Sequence, residues 1–183
     1  AECRLSMRQV EGFSVFYYYG YSEIRELILS KHHEYGAAVL ARIASLSLAK
    51  FPLHLQREIS ANPQNYEAFK TDGIFKFNAV PLDDDARSGY SHTAILARAL
   101  KSELIEPKFH CLRAQNRVKY TGQSLEFRLK HKRNFKILTP PQFPVILVDD
   151  IITSGLSMLQ ARESLIDGGF MPVCGLVLAN AKE

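Results

Sequence analysis

Four strongly apolar residues, Val145-Ile146-Leu147-Val148, run directly into Asp149-Asp150 and then into Ile151-Ile152-Thr153-Ser154-Gly155-Leu156-Ser157. The apolar run reads as a strand buried on both faces, the kind found inside parallel sheets. Two carboxylates stand at its C-terminal end, and a short hydroxyl–glycine loop then feeds a helical pattern. In open α/β sheets ligands sit in the crevice beyond the carboxyl ends of the strands. Backbone N–H groups at a helix start, with hydroxyls beside them, form a cradle for phosphate. Gly155 lets the backbone approach an anion closely, and Ser157 is expected to cap the helix. Asp149 and Asp150 would repel phosphate. They suit vicinal hydroxyls, or a Mg²⁺ that bridges to a pyrophosphate. A phosphate cradle beside a diol clamp describes a sugar phosphate. Neither a Gly-x-x-x-x-Gly-Lys-Ser/Thr loop nor a Gly-x-Gly-x-x-Gly turn is present, which excludes the ordinary nucleotide and dinucleotide motifs.

The rest of the chain supplies the matching elements. Phe13 to Tyr21 is rich in aromatic residues and reads as a strand, buried on both faces rather than a base-stacking platform. Ser22 opens a helix with Ile24, Leu27 and Ile28 on one face. Gly36 precedes a second helix lined by Val39, Leu40, Ile43 and Leu46, with Pro52 expected to mark its end. Ser60-Ala61-Asn62-Pro63 and Asp72-Gly73 are turn signals. Ile74 to Val80 reads as a strand, followed by the acidic run Asp83-Asp84-Asp85. Ser91 caps a helix carrying Ile95, Leu96, Leu100 and Leu104, and Phe109 to Leu112 reads as a short strand. Leu159, Ala161, Leu165 and Ile166 build a helix that stops at Gly168-Gly169, and Val173 to Ala179 is a last buried strand. Strands alternating with helices predict an α/β fold with a mostly parallel central sheet flanked by helices. With 183 residues, 46% of them hydrophobic, the chain is expected to form a single domain over 1–183.

Three widely spaced cysteines, Cys3, Cys111 and Cys174, give no disulfide framework and point to a reducing compartment. No apolar run approaches the roughly 20 residues needed to span a bilayer, and no charged-then-apolar leader opens the chain, so the expected setting is the cytoplasm without membrane insertion. The net charge of +4 is compatible with an anionic partner. It concentrates between Lys108 and Lys136, where Arg113, Arg117, Lys119, Arg128, Lys130, Lys132 and Arg133 face one acid, Glu126, with Phe109, Tyr120, Phe127 and Phe135 interleaved. Cations that track a backbone, and rings on which bases stack, are what single-stranded nucleic acid requires. The residues alone leave a second reading open, in which the charges decorate a loop and the rings belong to the core. The six histidines have no ligand spacing in sequence.

The acid pair and hydroxyl–glycine loop resemble the phosphoribosyl pyrophosphate (PRPP) motif of the type I phosphoribosyltransferases. Read along the whole chain, the resemblance narrows to the ComF family of competence proteins. It is carried by Tyr19-Gly20-Tyr21 with Arg25, Lys31 and Gly36, by Val80-Pro81-Leu82, by Arg87-Ser88-Gly89-Tyr90, by Arg113, Arg117, Thr121, Gln123 and Asn134, and by the motif at Asp149 to Ser157. It departs from the family where Asp83 to Asp85 replace basic residues, and where Ser91-His92 follows the Gly-aromatic turn.

The resemblance implies a type I phosphoribosyltransferase-like fold with a basic hood or loop region. Asp149 and Asp150 would be the catalytic acids holding the ribose, and Thr153, Ser154, Gly155, Leu156 and Ser157 the 5′-phosphate loop. Val80, Pro81 and Leu82 would form the pyrophosphate loop, with Mg²⁺ reaching the acids through the PRPP. It further implies a protein of natural transformation that handles incoming single-stranded DNA through Arg113, Arg117, Lys119, Tyr120, Arg128, Lys130, Lys132 and Arg133, alongside other competence proteins such as a DNA helicase. The alternative is a working phosphoribosyltransferase of nucleotide salvage that uses Mg-PRPP. The zinc module common in the family would precede residue 1, since only Cys3 could be its remnant and no zinc site is completed within the chain.

Overall fold

A computed structural model of the chain describes residues 4–82, 89–116 and 134–182. The chain begins with a hairpin, β1 (Ser6–Val10) and β2 (Phe13–Gly20), which pair antiparallel. Glu11 and Gly12 between them have φ of 47° and 77°, the left-handed pair that a two-residue hairpin turn demands. Helices α1 (Tyr21–Leu29), α2 (Gly36–Leu46) and α3 (Phe51–Ala61) follow. Next come a small hairpin of β3 (Lys70–Thr71) and β4 (Ile74–Phe75), then β5 (Phe77–Pro81), α4 (His92–Arg98) and β6 (Ile105–Pro107). The second half holds β7 (Leu112–Ala114), β8 (Phe135–Ile137), β9 (Val145–Ile152), α5 (Leu156–Asp167) and β10 (Pro172–Asn180).

The main sheet has the order β1-β2-β10-β9-β5-β6, and every pairing except β1 with β2 is parallel. This is the α/β architecture expected from the alternating pattern. Period-2 alternation divides each central strand between two cores. Along β9, Ile146 and Val148 join Ile24, Ile28, Leu40, Phe51 and Leu96 on the face covered by α1 to α4. Val145 and Leu147 join Val15, Leu112, Phe135, Met158 and Leu165 on the face covered by α5 and the β7–β8 ribbon. Both faces being covered explains why β9 and β10 read as continuous apolar runs. The aromatic stretch of β2 is likewise a core strand: Tyr17 and Tyr18 are buried, and Phe16 packs on Phe51 with ring centroids 5.5 Å apart.

Several local expectations are corrected. Pro52 does not end a helix; it occupies the first turn of α3, where a missing N–H costs nothing. Gly20, not Ser22, caps α1, and the Glu23 carboxylate accepts the Gly20 N–H at 2.7 Å. Phe109 and His110 form a turn between β6 and β7, with His110 at φ 54°, rather than starting a strand. Leu46 and Ile166 lie on the exposed sides of their helices. Among the described residues one helical run, Gly36–Ala61, is by length and composition long and apolar enough to cross a membrane, against the expectation that no such run exists. It breaks at Ser47 (φ −124°, ψ −76°), and Leu40, Ile43, Leu48, Phe51, Leu55 and Ile59 pack into the core of the sheet's helical face.

The C-terminal half of α5 allows a direct check. Leu165 is fully buried, whereas its neighbour Ile166 is 48% exposed. Leu165→Ala is expected to lower the unfolding free energy by about 2–5 kcal/mol in denaturant titration. Ile166→Ala should stay within about 0.5 kcal/mol of the parent. Equal losses would place α5 in the wrong rotation.

Candidate functional site

The strand order locates the site before any side chain is considered. From β5 the chain crosses through α4 to β6 on one flank; from β9 it crosses through α5 to β10 on the other. The connections diverge between β5 and β9, and a crevice opens at the carboxyl ends of two strands where such a switch occurs. The register deepens it. Pro81, the last residue of β5, pairs with Val148, and the Leu82 N–H still reaches the Val148 carbonyl at 2.8 Å. Strand β9 continues to Ile152 alongside β10. Asp149 and Asp150 therefore lie inside the strand, in the part that outruns β5, rather than after it.

Asp150 follows Val148 in alternation and belongs to the α1–α4 face. There it is met by two residues distant in sequence. The Lys31 ammonium donates to its Oδ2, and His92 Nε2 lies 3.8 Å from the same oxygen. The Asp150 side chain is 9% exposed and that of Lys31 21%. Burial alone would push the Asp150 carboxyl up, but Lys31 and then His92 outweigh it and hold the group below its ordinary range. For Lys31, burial would pull the ammonium down; the charge and hydrogen bond of Asp150 prevail and leave it above its ordinary range. Asp149 is half-buried, and its Oδ1 accepts the Asp150 N–H at 2.9 Å.

The two partners of Asp150 are held by one small bracket. Lys31 sits in the turn between α1 and α2, and the Tyr90 hydroxyl donates to its carbonyl at 2.8 Å. A Cβ on Gly36 would collide with the Ser30 carbonyl and the Tyr90 hydroxyl, so only glycine permits this closure. Ser91 then caps α4, accepting the Ala94 N–H at 3.1 Å, as the sequence predicts, and His92 opens the helix.

The hydroxyl–glycine loop follows on the other side of the crevice. Thr153 is exposed, Ser154, Leu156 and Ser157 are half-buried, and Gly155 is buried at φ 85°. The helix cap is Gly155 itself, and Ser157 lies within the first turn of α5, so the expected Ser157 cap is not formed. A Cβ at Gly155 would stand 2.5 Å from Val10 Cγ1. Arg8 braces the loop by donating to the Thr153 carbonyl at 2.8 Å and to Asn180 Oδ1 at 3.2 Å. Strand β1 is thus the strut of the loop. Sequence reasoning misses it, although Glu11-Gly12 directly before the aromatic strand is an available turn signal.

The remaining expected residues divide. Val80, Pro81 and Leu82 are buried at the end of β5, with Val80 and Leu82 in the α5-side core, so this stretch supports the crevice wall from within. Arg113 and Lys136 stand directly opposite each other on the β7–β8 ribbon, both exposed, while Leu112 and Phe135 anchor the ribbon in the core. Arg117, Lys119, Tyr120, Arg128, Lys130, Lys132 and Arg133 lie outside the described residues, as do Cys3, Asp83 to Asp85 and Arg87. Cys111 and Cys174 are buried thiols, and burial pushes Cys174 up to about 12, which makes it unreactive. As for metal ligands, His92, Asp149 and Asp150 each bring one ligand atom within 4.8 Å of the others. Sequence spacing hides His92, because it is the sheet crossover that delivers it to Asp150.

No family model matches the chain, and no curated protein matches it significantly.

The buried ion pair makes stability depend on pH at both ends. With the Asp150 carboxyl depressed in the fold, its contribution is complete above the unfolded value and is lost as pH falls below about 4. With the Lys31 ammonium raised, its contribution is complete below the unfolded value and is lost as pH climbs above about 10.4. Asp150→Ala strands a buried cation and is expected to cost about 3–5 kcal/mol at neutral pH. The gap between parent and variant should narrow at the acid limb in pH-dependent urea unfolding; a gap constant down to about pH 2 would show that the pair contributes nothing.

Proposed function

We propose that the chain is a ComF-type competence protein, which handles incoming single-stranded DNA on a phosphoribosyltransferase-type scaffold and takes PRPP or a related phosphate ligand in the crevice between β5 and β9. The observation that carries this reading is convergence. Lys31 with Gly36, Tyr90, and Asp150 enter the resemblance from three separate stretches of sequence, and they meet in one bracket at the carboxyl edge of the sheet. Nothing in folding a generic α/β domain requires those four residues to touch.

The chemistry of the crevice fits a phosphorylated pentose. Asp149 offers carboxylate oxygens to vicinal hydroxyls, and the N-terminus of α5 offers N–H groups and the positive end of a helix dipole to a phosphate. Asp150 is engaged by Lys31, so a diol that uses both acids must first exchange with the ammonium. Released from Asp150, Lys31 is placed to meet a ligand phosphate. Mg²⁺ arriving with PRPP would neutralise the pyrophosphate and polarise its bond to the ribose. On the DNA side, Arg113 and Lys136 place two cations opposite each other at the root of the basic segment. Like charges directly opposite destabilise a ribbon, and a nucleic-acid phosphate would relieve that repulsion. The working compartment in this reading is the cytoplasm, beside other competence proteins such as a DNA helicase.

Calorimetric titration with Mg-PRPP tests the first half. Binding that is lost or weakened at least about tenfold in Asp149→Asn is the expected outcome. Release of pyrophosphate against a nucleobase would move the reading to a salvage phosphoribosyltransferase. Single-strand binding tests the second half. Affinity should fall steeply with salt, and Arg113→Ala with Lys136→Ala should reduce the log–log slope by roughly 0.7 for each phosphate that is no longer neutralised. Binding indifferent to salt would reject the DNA role.

A further inference from the structure

We infer that His92, Asp149 and Asp150 form a protein-held site for a divalent transition-metal ion, with Lys31 as the cation that occupies its charge when no metal is bound. This is distinct from Mg²⁺ carried in by a pyrophosphate, because the ligands are the chain's own. The three side chains are close enough to converge on one ion after a small movement. One imidazole nitrogen and two carboxylate oxygens lie within 4.8 Å of one another. His92 is preset by its surroundings: Ser91 fixes the helix start immediately before it, and the Tyr90 hydroxyl ties that turn to the Lys31 carbonyl. The second observation is Lys31 itself. A buried carboxylate has drawn an ammonium from the α1–α2 turn into the group, so the place already binds positive charge. Lys31 has a flexible stem and keeps 21% of its side chain exposed, which gives it a route out when a doubly charged ion competes.

The donor set selects the ion. Magnesium prefers an octahedron of oxygens and retains its waters, so an imidazole serves it poorly. One nitrogen with two carboxylates suits Mn²⁺, Co²⁺ or Zn²⁺, with open positions left for water or a substrate oxygen. His92 lies on the α4 side of the crevice and the α5 loop on the other, so a metal here would stand beside the phosphate cradle, not within it.

The test uses the whole chain and Mn²⁺ alone, with no sugar phosphate. Mn²⁺ binding is followed by the decline of the aqueous ion's electron paramagnetic resonance signal, and pulsed measurements then look for hyperfine coupling to a histidine nitrogen. The expected result is stoichiometric binding with one coupled nitrogen, Mn²⁺ at least about tenfold tighter than Mg²⁺ by competition, and loss of both binding and coupling in His92→Ala. His92 is partly exposed at a helix start, so this variant should fold; its unfolding curve confirms that. Lys31→Met should tighten Mn²⁺ by removing the competitor. Absence of binding, binding without nitrogen coupling, or coupling that survives His92→Ala would overturn the inference. The outcome is separable from the phosphoribosyl reading: a chain that takes Mn²⁺ but refuses PRPP keeps this site and loses that function, and the reverse result does the opposite.

Discussion

The buried contact between the Lys31 ammonium and the Asp150 carboxylate is the interaction on which the candidate site depends. A carboxylate at 9% side-chain exposure is costly to keep charged, and only a paired, hydrogen-bonded cation makes it tolerable. That requirement ties the α1–α2 turn to the middle of the sheet across more than a hundred residues of chain. Once the turn is fixed, Gly36 must be glycine, Tyr90 has a carbonyl to bond, and α4 starts where His92 faces the same oxygen. Apolar residues of similar size can replace a buried ion pair at little cost in stability, so what the pair distinctively adds here is charge at the crevice.

The sheet supplies the other constraint. Parallel pairing brings the carboxyl ends of β2, β10, β9, β5 and β6 to one edge, and the divergence of crossovers between β5 and β9 opens a gap there. Because β9 outruns β5, its last residues pair, among the described strands, with β10 alone. Twin acids placed there stand next to each other in that part of the strand, with Asp150 held by Lys31 and the Asp149 carboxylate close enough to share the neighbourhood of Asp150 and His92.

Much of this is legible from the residues. Continuous apolar runs at Val145 to Val148 and Val173 to Ala179 identify the central strands, because strands covered on both faces need no polar side. Asp72-Gly73 and Ser91 read correctly as a turn and a cap, both consequences of local chemistry. What sequence hides is long-range. Nothing near Lys31 announces a partner at Asp150, and nothing near His92 announces a carboxylate, since both contacts exist only after the crossovers close. Pro52 misleads because proline ends helices and begins them with equal ease, and the residue that decides is Ser47, whose backbone breaks the run. Arg8 escapes notice because an arginine on an edge strand looks solvated until the Thr153 carbonyl is placed beside it.

The proposed ligand site is the carboxyl edge between β5 and β9, near the Lys31 turn, His92 and the loop after Asp150. Hydrogen–deuterium exchange of the whole chain with and without Mg-PRPP tests it most directly. New protection is expected in the peptides covering residues 149–158 and 28–36, with the β3–β4 hairpin unchanged. Protection confined to the far end of the sheet, or binding that leaves both of those segments untouched, would contradict it.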